Sequence, residues 1–153
     1  MSKEAETGAR LFEAGFSCSQ AVLAAHCEDY GLERSLALKV AGAFGGGMGH
    51  IGETCGAVSG ALMLLGLKYG KHTVEDSVSK EKTYAYVKAF TDRFKARHGS
   101  IHCNELVGYD LGNPEELIKA RESDVFKTVC PRLVRSAIES VETLLAGELP
   151  EQA

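Results

Sequence analysis

The sequence has no tryptophan, few aromatic residues and little proline. Aromatic side chains make up 7% of the 153 residues, and only 3 residues are proline. The hydrophobic core must therefore be built from alanine, leucine, valine and glycine. Because 17 glycines accompany so few prolines, the composition favours closely packed helices over a β-sandwich with proline-rich turns.

The sequence also lacks an excess of positive charge and a long hydrophobic run. Its 17 Lys and Arg against 21 Asp and Glu give a net charge of −4, which argues against a nucleic-acid partner or a polybasic membrane-surface protein. The longest uncharged segment, 54–67, is too short to span a bilayer. The acidic N-terminal residues lack a hydrophobic signal region. We therefore expect a cytoplasmic protein without a membrane partner.

Apolar residues recur at helical spacing through most of the chain, and few segments alternate with a period of two. We predict an all-α fold in which residues 1–153 form a single compact bundle of about five to seven helices. Ser17 followed by Gln20 has the capping-box pattern of a helix start. The predicted helices span 3–14, 17–29, 32–44, 53–67 and 73–97, then a short turn at 103–107, a brief helix at 114–119 and a last helix before Gly147.

The segment 53–67 is apolar nearly all round, which predicts a buried, glycine-rich central helix. Gly52, Gly56 and Gly60 lie four residues apart, so their side of the helix would let another backbone approach closely. A glycine-rich turn, 45–52, precedes it. This turn matches the G-x-G-x-x-G dinucleotide pattern, but the segment ahead of it has a helical pattern, so we do not expect a nucleotide site.

Apolar stripes predict which helix faces are buried. On the third predicted helix one side carries Leu36, Val40, Ala43 and Phe44. The last helix has a heptad-like seam made of Val134, Ala137, Ile138, Val141, Leu144 and Leu145. We expect this seam to face the core, and contact within a two-fold homodimer is the alternative.

Five cysteines stand in the chain, at positions 18, 27, 55, 103 and 130. An odd number in a reducing compartment argues against a static disulfide framework. No two form a C-x-x-C pair, so the spacing alone gives no zinc-finger or thioredoxin signature. Metal or cluster ligation, redox catalysis and simple burial are the roles left open.

Four of the five cysteines fall at predicted helix starts. Cys18 follows the cap Ser17, Cys55 lies in the first turn of the glycine-rich helix, Cys103 opens the short turn, and Cys130 precedes a proline, which favours the first helical position. Helix N-termini stabilise thiolates, so we expect lowered pKa values at these four positions. Cys27 lies late in its helix and is predicted to pack in the core.

The segments around the four cysteines resemble a known family. They are Gly15-Phe-Ser-Cys18-Ser-Gln20, Cys55-Gly-Ala-Val-Ser-Gly60-Ala61, Cys103-Asn-Glu-Leu-Val-Gly108, and Cys130 ahead of the last helix. Together they resemble the redox-active proteins named for their C…GCAxxG…C…C pattern, from about residue 15 to residue 145. The chain also looks related to the cluster-carrying part of split-Soret cytochromes c, for which an iron–sulfur cluster has been proposed.

The resemblance implies a redox role, without an assigned reaction, for Cys18, Cys55, Cys103 and Cys130, with Cys27 as an extra cysteine. The chain departs from the cytochromes because it has no C-x-x-C-H, which excludes covalent haem.

Two chemistries suit four thiolates. In one, the four cysteines ligate an iron–sulfur cluster, with a two-iron type favoured, or a zinc ion, and Gly56 leaves space beside Cys55. In the other, two cysteines form a reversible disulfide in a dithiol oxidoreductase. We favour the cluster, because redox dithiols are usually close in sequence, as in C-x-x-C. The partner would then be an unidentified electron donor or acceptor.

A helical interaction module with structural zinc is the third interpretation. His50 and His102 neighbour cysteines in the chain, and we interpret both as ordinary loop or cap residues. A role for either as an alternative ligand or proton donor is left open.

Overall fold

A computed structural model describes residues 2–149, and eight α-helices form the fold in that range. The prediction of an all-α protein is confirmed, since the only β pairing among these residues is an isolated bridge between Thr54 and His102. The helix count is one above the predicted range, because the short segments near residues 103 and 114 both form helices. The helices are α1 (Lys3–Glu13), α2 (Cys18–His26), α3 (Arg34–Ala41), α4 (Gly56–Tyr69), α5 (Ser77–His98), α6 (Cys103–Val107), α7 (Pro114–Glu122) and α8 (Val125–Leu145).

Helix ends follow the capping residues of the sequence. Both hydrogen bonds of the predicted capping box form at α2, where the Ser17 N–H donates to Gln20 Oε1 at 2.9 Å and the Gln20 N–H donates to Ser17 Oγ at 3.4 Å. A 3₁₀ turn, Cys27–Tyr30, extends α2 and ends at Gly31, which has φ +81°. The turn of residues 45–52 forms as predicted, with left-handed backbone at Gly46 and Gly47.

Helix α4 is the buried centre of the bundle and packs against α2, α5 and α8. Its contact with α2 is close at Gly60, where an added Cβ would lie 2.7 Å from the Ser19 carbonyl oxygen and 3.0 Å from Val22 Cβ. Gly56 faces α2 in the same way. The expectation that the glycines admit a neighbouring backbone is therefore confirmed for Gly56 and Gly60. Gly52 lies before the helix, and an added Cβ there would meet the Asn104 side chain instead.

The predicted buried face of α3 is wrong. Leu36 and Val40 are about half exposed, whereas Ala37 and Ala41 are fully buried. The reason is the close approach of α3 to α2, in which Ser19 Oγ donates to the Ala41 carbonyl at 2.9 Å. Small side chains fit that contact, and the larger ones are turned outward.

Helix α8 closes the bundle with its apolar seam. Every residue of the predicted seam is buried in the large hydrophobic core, which confirms its role in packing. A second, smaller apolar cluster lies beside that core and is built from Cys103, Val107, Leu111, Ala120, Val125 and Cys130. Within residues 2–149, every helix is too short or too polar to cross a bilayer.

Candidate redox site

Four cysteines from distant parts of the chain line one cavity of about 360 Å³. Cys18 and Cys55 belong to the side of the large core, and Cys103 and Cys130 belong to the smaller apolar cluster. The cavity therefore lies at the junction of the two clusters. None of the cysteines is in a disulfide.

A short antiparallel pairing brings Cys55 and Cys103 together. The Cys55 N–H donates to the Ile101 carbonyl at 2.7 Å, and the Cys103 N–H donates to the Glu53 carbonyl at 2.6 Å. Alternation along paired strands puts both cysteine side chains on the same side of the pairing. Cys103 is the first residue of α6, as predicted. Cys55 is the cap residue of α4 rather than part of its first turn, because its backbone is still extended (φ −52°, ψ 131°).

Glycines hold the backbone close to the sulfurs. A Cβ added at Gly56 would lie 2.4 Å from Cys18 Sγ, and one at Gly47 would lie 2.7 Å from Cys103 Cβ. Gly47 also has φ +68°, a left-handed conformation that favours glycine. The predicted space beside Cys55 therefore exists, and the Cys18 sulfur occupies it.

The position predicted for Cys130 is wrong. Helix α8 begins at Val125, so Cys130 is its sixth residue and Pro131 lies inside the helix. An interior proline has no N–H for the carbonyl of Lys127 and costs about 3 kcal/mol relative to alanine. The long buried face of α8 outweighs that cost. Cys130 nevertheless reaches the cavity, from the side of a helix instead of its start.

Cys27 is separate from this group. It is fully buried in the large core, and its thiol lies 3.9 Å from the Ala24 carbonyl oxygen. Burial and the charge of Glu28 raise the pKa of its thiol. Its predicted role in core packing is confirmed.

The four cavity cysteines do not share one electrostatic environment. A hydrogen bond from the Cys55 thiol lowers the pKa of Cys18 to about 7 against the opposing effect of burial, with help from the backbone N–H groups of Gly46, Ser19 and Cys18 itself. The same hydrogen bond, with burial, raises the pKa of Cys55 well above its usual value. Cys18 is thus the one cavity thiol whose pKa is lowered.

Lowered pKa values at all four cysteines were expected, and three of them are raised instead. Burial and the neighbouring charge of Cys18 raise the pKa of Cys103 to about 12, and burial with the charges of Cys18 and Cys103 does the same for Cys130. A helix N-terminus cannot outweigh the loss of water around a buried thiolate that has another thiolate beside it. All four become good anionic ligands only if a positive centre offsets that cost.

The sulfurs are spread more widely than one small ion requires. Four thiolates around a single zinc would lie about 3.8 Å from one another, given a Zn–S distance of about 2.3 Å. No three of the four sulfurs fall mutually within 4.8 Å, since in residues 2–149 the one His/Cys/Asp/Glu group that meets that limit is Glu4, His26 and Glu142.

The two histidines near the cysteines differ in position. His50 is exposed, lines the cavity, and packs on Gly46, where an added Cβ would lie 2.5 Å from His50 Nδ1. His102 is exposed and takes the cap position of α6 without a capping hydrogen bond from its side chain. The G-x-G-x-x-G match follows helix α3 instead of a strand, so it lacks the context of a dinucleotide site.

Several cavity residues were not predicted from the sequence. Arg121 in the last turn of α7 lines the cavity, as does an apolar set from four other segments. Outside the cavity lining, Asn104, next to Cys103, accepts a hydrogen bond from the Leu111 N–H in the loop that follows α6. The sequence offered no spacing signal for Arg121, whereas the position of Asn104 beside a candidate ligand could have singled it out. The apolar set comprises Phe12, Leu106, Val107, Leu111, Phe126 and Leu133.

Fold and cavity together define an all-α protein with four cysteines gathered around one pocket. The chain belongs to the family described as "Putative redox-active protein (C_GCAxxG_C_C)", whose family model matches residues 16–144. This match confirms the resemblance to that family found in the sequence and supports a redox-active protein. No curated protein and no solved structure matches the chain.

Proposed function

We propose that Cys18, Cys55, Cys103 and Cys130 bind an iron–sulfur cluster used for electron transfer or redox sensing. The observation that carries the proposal is the meeting of four thiols from four separate segments in one cavity at the junction of two apolar clusters. Cysteine thiolates are the usual ligands of such clusters, four at a time.

The arrangement of the sulfurs favours a two-iron cluster over a single zinc. Cys18 and Cys55 interact on one side, since the Cys55 thiol lowers the pKa of Cys18, and Cys103 and Cys130 belong together to the smaller apolar cluster. Two pairs of thiolates suit two metal ions. Because no three of the four sulfurs lie mutually within 4.8 Å, the arrangement also suits ligands that are divided between metals.

The surroundings of the sulfurs suit a redox centre. The backbone N–H groups of Gly46 and Ser19 help to lower the pKa of Cys18, and polar backbone groups near the sulfurs together with burial set a cluster's reduction potential. When bound, the cluster would supply reversible one-electron chemistry. Glycines at 47 and 56 keep the backbone close without adding bulk to the ligand shell.

Anaerobic purification followed by metal and sulfide analysis tests the proposal. We expect a brown protein with visible charge-transfer absorption and equal amounts of iron and sulfide. Cys55→Ala should lose both, whereas Cys27→Ala, a matched change outside the cavity, should keep them. Colourless protein without iron, one bound zinc without a redox response, or equal effects of the two substitutions would contradict the proposal.

A dithiol oxidoreductase is the second candidate, favoured by the Cys55 thiol beside Cys18, which lowers the pKa of Cys18. The Cys18 thiolate would attack a disulfide of an oxidised partner, forming a mixed disulfide and releasing one partner thiol. Cys55, on losing its proton, would then attack the Cys18 sulfur, closing an intramolecular disulfide and releasing the second thiol. Mass spectrometry after treatment with glutathione disulfide should show that disulfide, and Cys55→Ala should stop at the mixed disulfide.

The proposal also covers the compartment, the redox partner and the oligomeric state of the protein. A reducing compartment such as the cytoplasm suits a chain with five free thiols and a net charge of −4. The partner we expect is an electron donor or acceptor. A homodimer through an exposed surface is compatible with the fold, and sedimentation of the purified protein measures it directly.

A further inference from the structure

The cysteine cavity also has an apolar lining, which the ligation of a cluster does not use. Besides the sulfurs, it is lined by a set of apolar side chains, which includes Phe126, Leu111 and Leu133. Its volume of about 360 Å³ falls in the range of small-molecule sites, roughly 300 to 1,000 Å³. Apolar walls with a few polar groups are typical of sites that bind organic molecules.

Arg121 is the only Lys or Arg in the cavity lining, and no Asp or Glu lines it within residues 2–149. Its side chain is exposed and makes no ion pair or side-chain hydrogen bond with the rest of that range. His50, also exposed, lines the cavity too. These residues therefore lie where the cavity meets solvent, and the guanidinium has its donors free.

We propose that the cavity binds a small organic anion, with its anionic group on Arg121 and its apolar body against the side chains around Phe126. A guanidinium binds a carboxylate or phosphate through two parallel hydrogen bonds, which fixes orientation as well as charge. The apolar lining supplies the rest of the affinity through burial. The ligand would thus lie beside the cysteines, as expected for a substrate or an effector of a redox site.

This proposal does not depend on a cluster, because Arg121 and the apolar lining belong to the chain itself. Calorimetric titration of the anaerobically purified, reduced full chain tests it, with phenylbutyrate as the anionic probe. Phenylbutanol and phenylbutylamine have the same apolar body with a neutral and a cationic end. We expect phenylbutyrate to bind most tightly and phenylbutylamine most weakly.

Substitution of the arginine separates the charged contact from apolar burial. Arg121→Gln should weaken phenylbutyrate binding about tenfold or more and leave phenylbutanol binding unchanged. Arg121→Lys, which keeps the charge without the planar fork, should lose less. The matched control is Arg10→Gln, since Arg10 is also exposed in the last turn of a helix but does not line the cavity.

Absence of phenylbutyrate binding, equal binding of phenylbutylamine, or equal losses in Arg121→Gln and Arg10→Gln would overturn the proposal. Iron and sulfide are measured on the same samples. Iron-free protein that binds phenylbutyrate through Arg121 would contradict the proposed cluster but not the proposed anion site. Iron-loaded protein that does not bind phenylbutyrate would contradict the proposed anion site but not the proposed cluster.

Discussion

At the scale of single residues, Gly56 sets how closely helix α4 approaches the Cys18 sulfur. A Cβ there would lie 2.4 Å from Sγ and 3.0 Å from both the Phe44 carbonyl oxygen and the Ser19 nitrogen. Gly56→Ala should therefore lower the free energy of unfolding by about 1–3 kcal/mol through overpacking. Urea denaturation followed by circular dichroism measures the change.

Gly66 provides the matched control because it lies in the same helix with nothing within 4 Å of an added Cβ. Gly66→Ala should raise the free energy of unfolding by about 0.5–1 kcal/mol, the helix-propensity gain of alanine. If both substitutions had the same sign, close packing at Gly56 would not explain the effect.

His26 predicts a pH dependence of stability. Its Nδ1 lies 2.9 Å from Asp29 Oδ2 and its Nε2 lies 2.8 Å from Glu142 Oε1, and only the protonated ring donates at both. Burial opposes protonation, but these hydrogen bonds and charges outweigh it and raise the pKa of His26 above its usual value. Glu4 lies in the same group and favours the same charge.

The stabilisation by His26 is therefore complete below the unfolded pKa of about 6.5 and is lost as pH rises through the higher folded pKa. The difference in unfolding free energy between wild type and His26→Gln should be largest in mild acid and shrink in alkali. His98→Gln should show the opposite trend, because burial and the charges of Arg132 and Arg97 lower the pKa of His98. Parallel trends would contradict this assignment.

At the scale of elements, Asn104 holds the loop between α6 and α7. Its Oδ1 accepts from the Leu111 N–H at 2.9 Å, its Nδ2 donates to Asp110 Oδ1 at 3.0 Å, and its N–H donates to the Gly52 carbonyl. Asn104→Ala leaves the N–H of buried Leu111 unpaired, which should cost about 1–3 kcal/mol. We also expect faster alkylation of the neighbouring Cys103, measured by mass spectrometry.

Asn113→Ala is the control for this change. Asn113 caps α7 by accepting from the N–H groups of Glu115 and Glu116, so its loss should cost about 0.5–2 kcal/mol. Because this cap lies away from the paired segments, alkylation of Cys103 should stay at the wild-type rate. Equal rates in the two variants would show that Asn104 acts on stability alone.

Helix boundaries with local signals could be predicted from the sequence, and those set by tertiary packing could not. The capping box at Ser17 forms as expected because both of its hydrogen bonds lie within four residues. Pro131 misled the prediction because the preference of proline for a helix start is weaker than the burial of the whole α8 face. The buried face of α3 is set by its packing against α2. The apolar periodicity within α3 does not reveal that contact.

The features of the candidate site also divide into those that could be predicted from the sequence and those that depend on packing. Four cysteines were singled out by motif resemblance and position, and all four line the cavity. Their ionisation could not be predicted, since burial and mutual charge depend on the packing of two apolar clusters. Arg121 carries no sequence signal, because an exposed arginine near a helix end is typical of any surface helix.

At the scale of the whole molecule, the buried contacts between α5 and the rest of the bundle are unevenly distributed along that helix. The buried residues of this helix are Tyr86, Phe90 and Phe94, all in its second half or at its middle, while Val78 and Tyr84 are largely exposed. Tyr86 stacks on Tyr69 of α4 with ring centroids 4.1 Å apart, and this contact is where the helix joins the core. The segment before it has few apolar contacts that would resist local opening.

Native-state hydrogen exchange should therefore divide α5 at Tyr86. Amides of residues 81–85 should exchange faster than those of residues 89–97, although both sets lie in one continuous helix. Helix α8 serves as the internal control because its buried residues run from Val125 to Leu145, so its protection should be uniform beyond the first turn. Equal protection along α5 would mean that the helix opens only with the whole bundle, and that its exposed first half is held by cooperativity instead of by contacts.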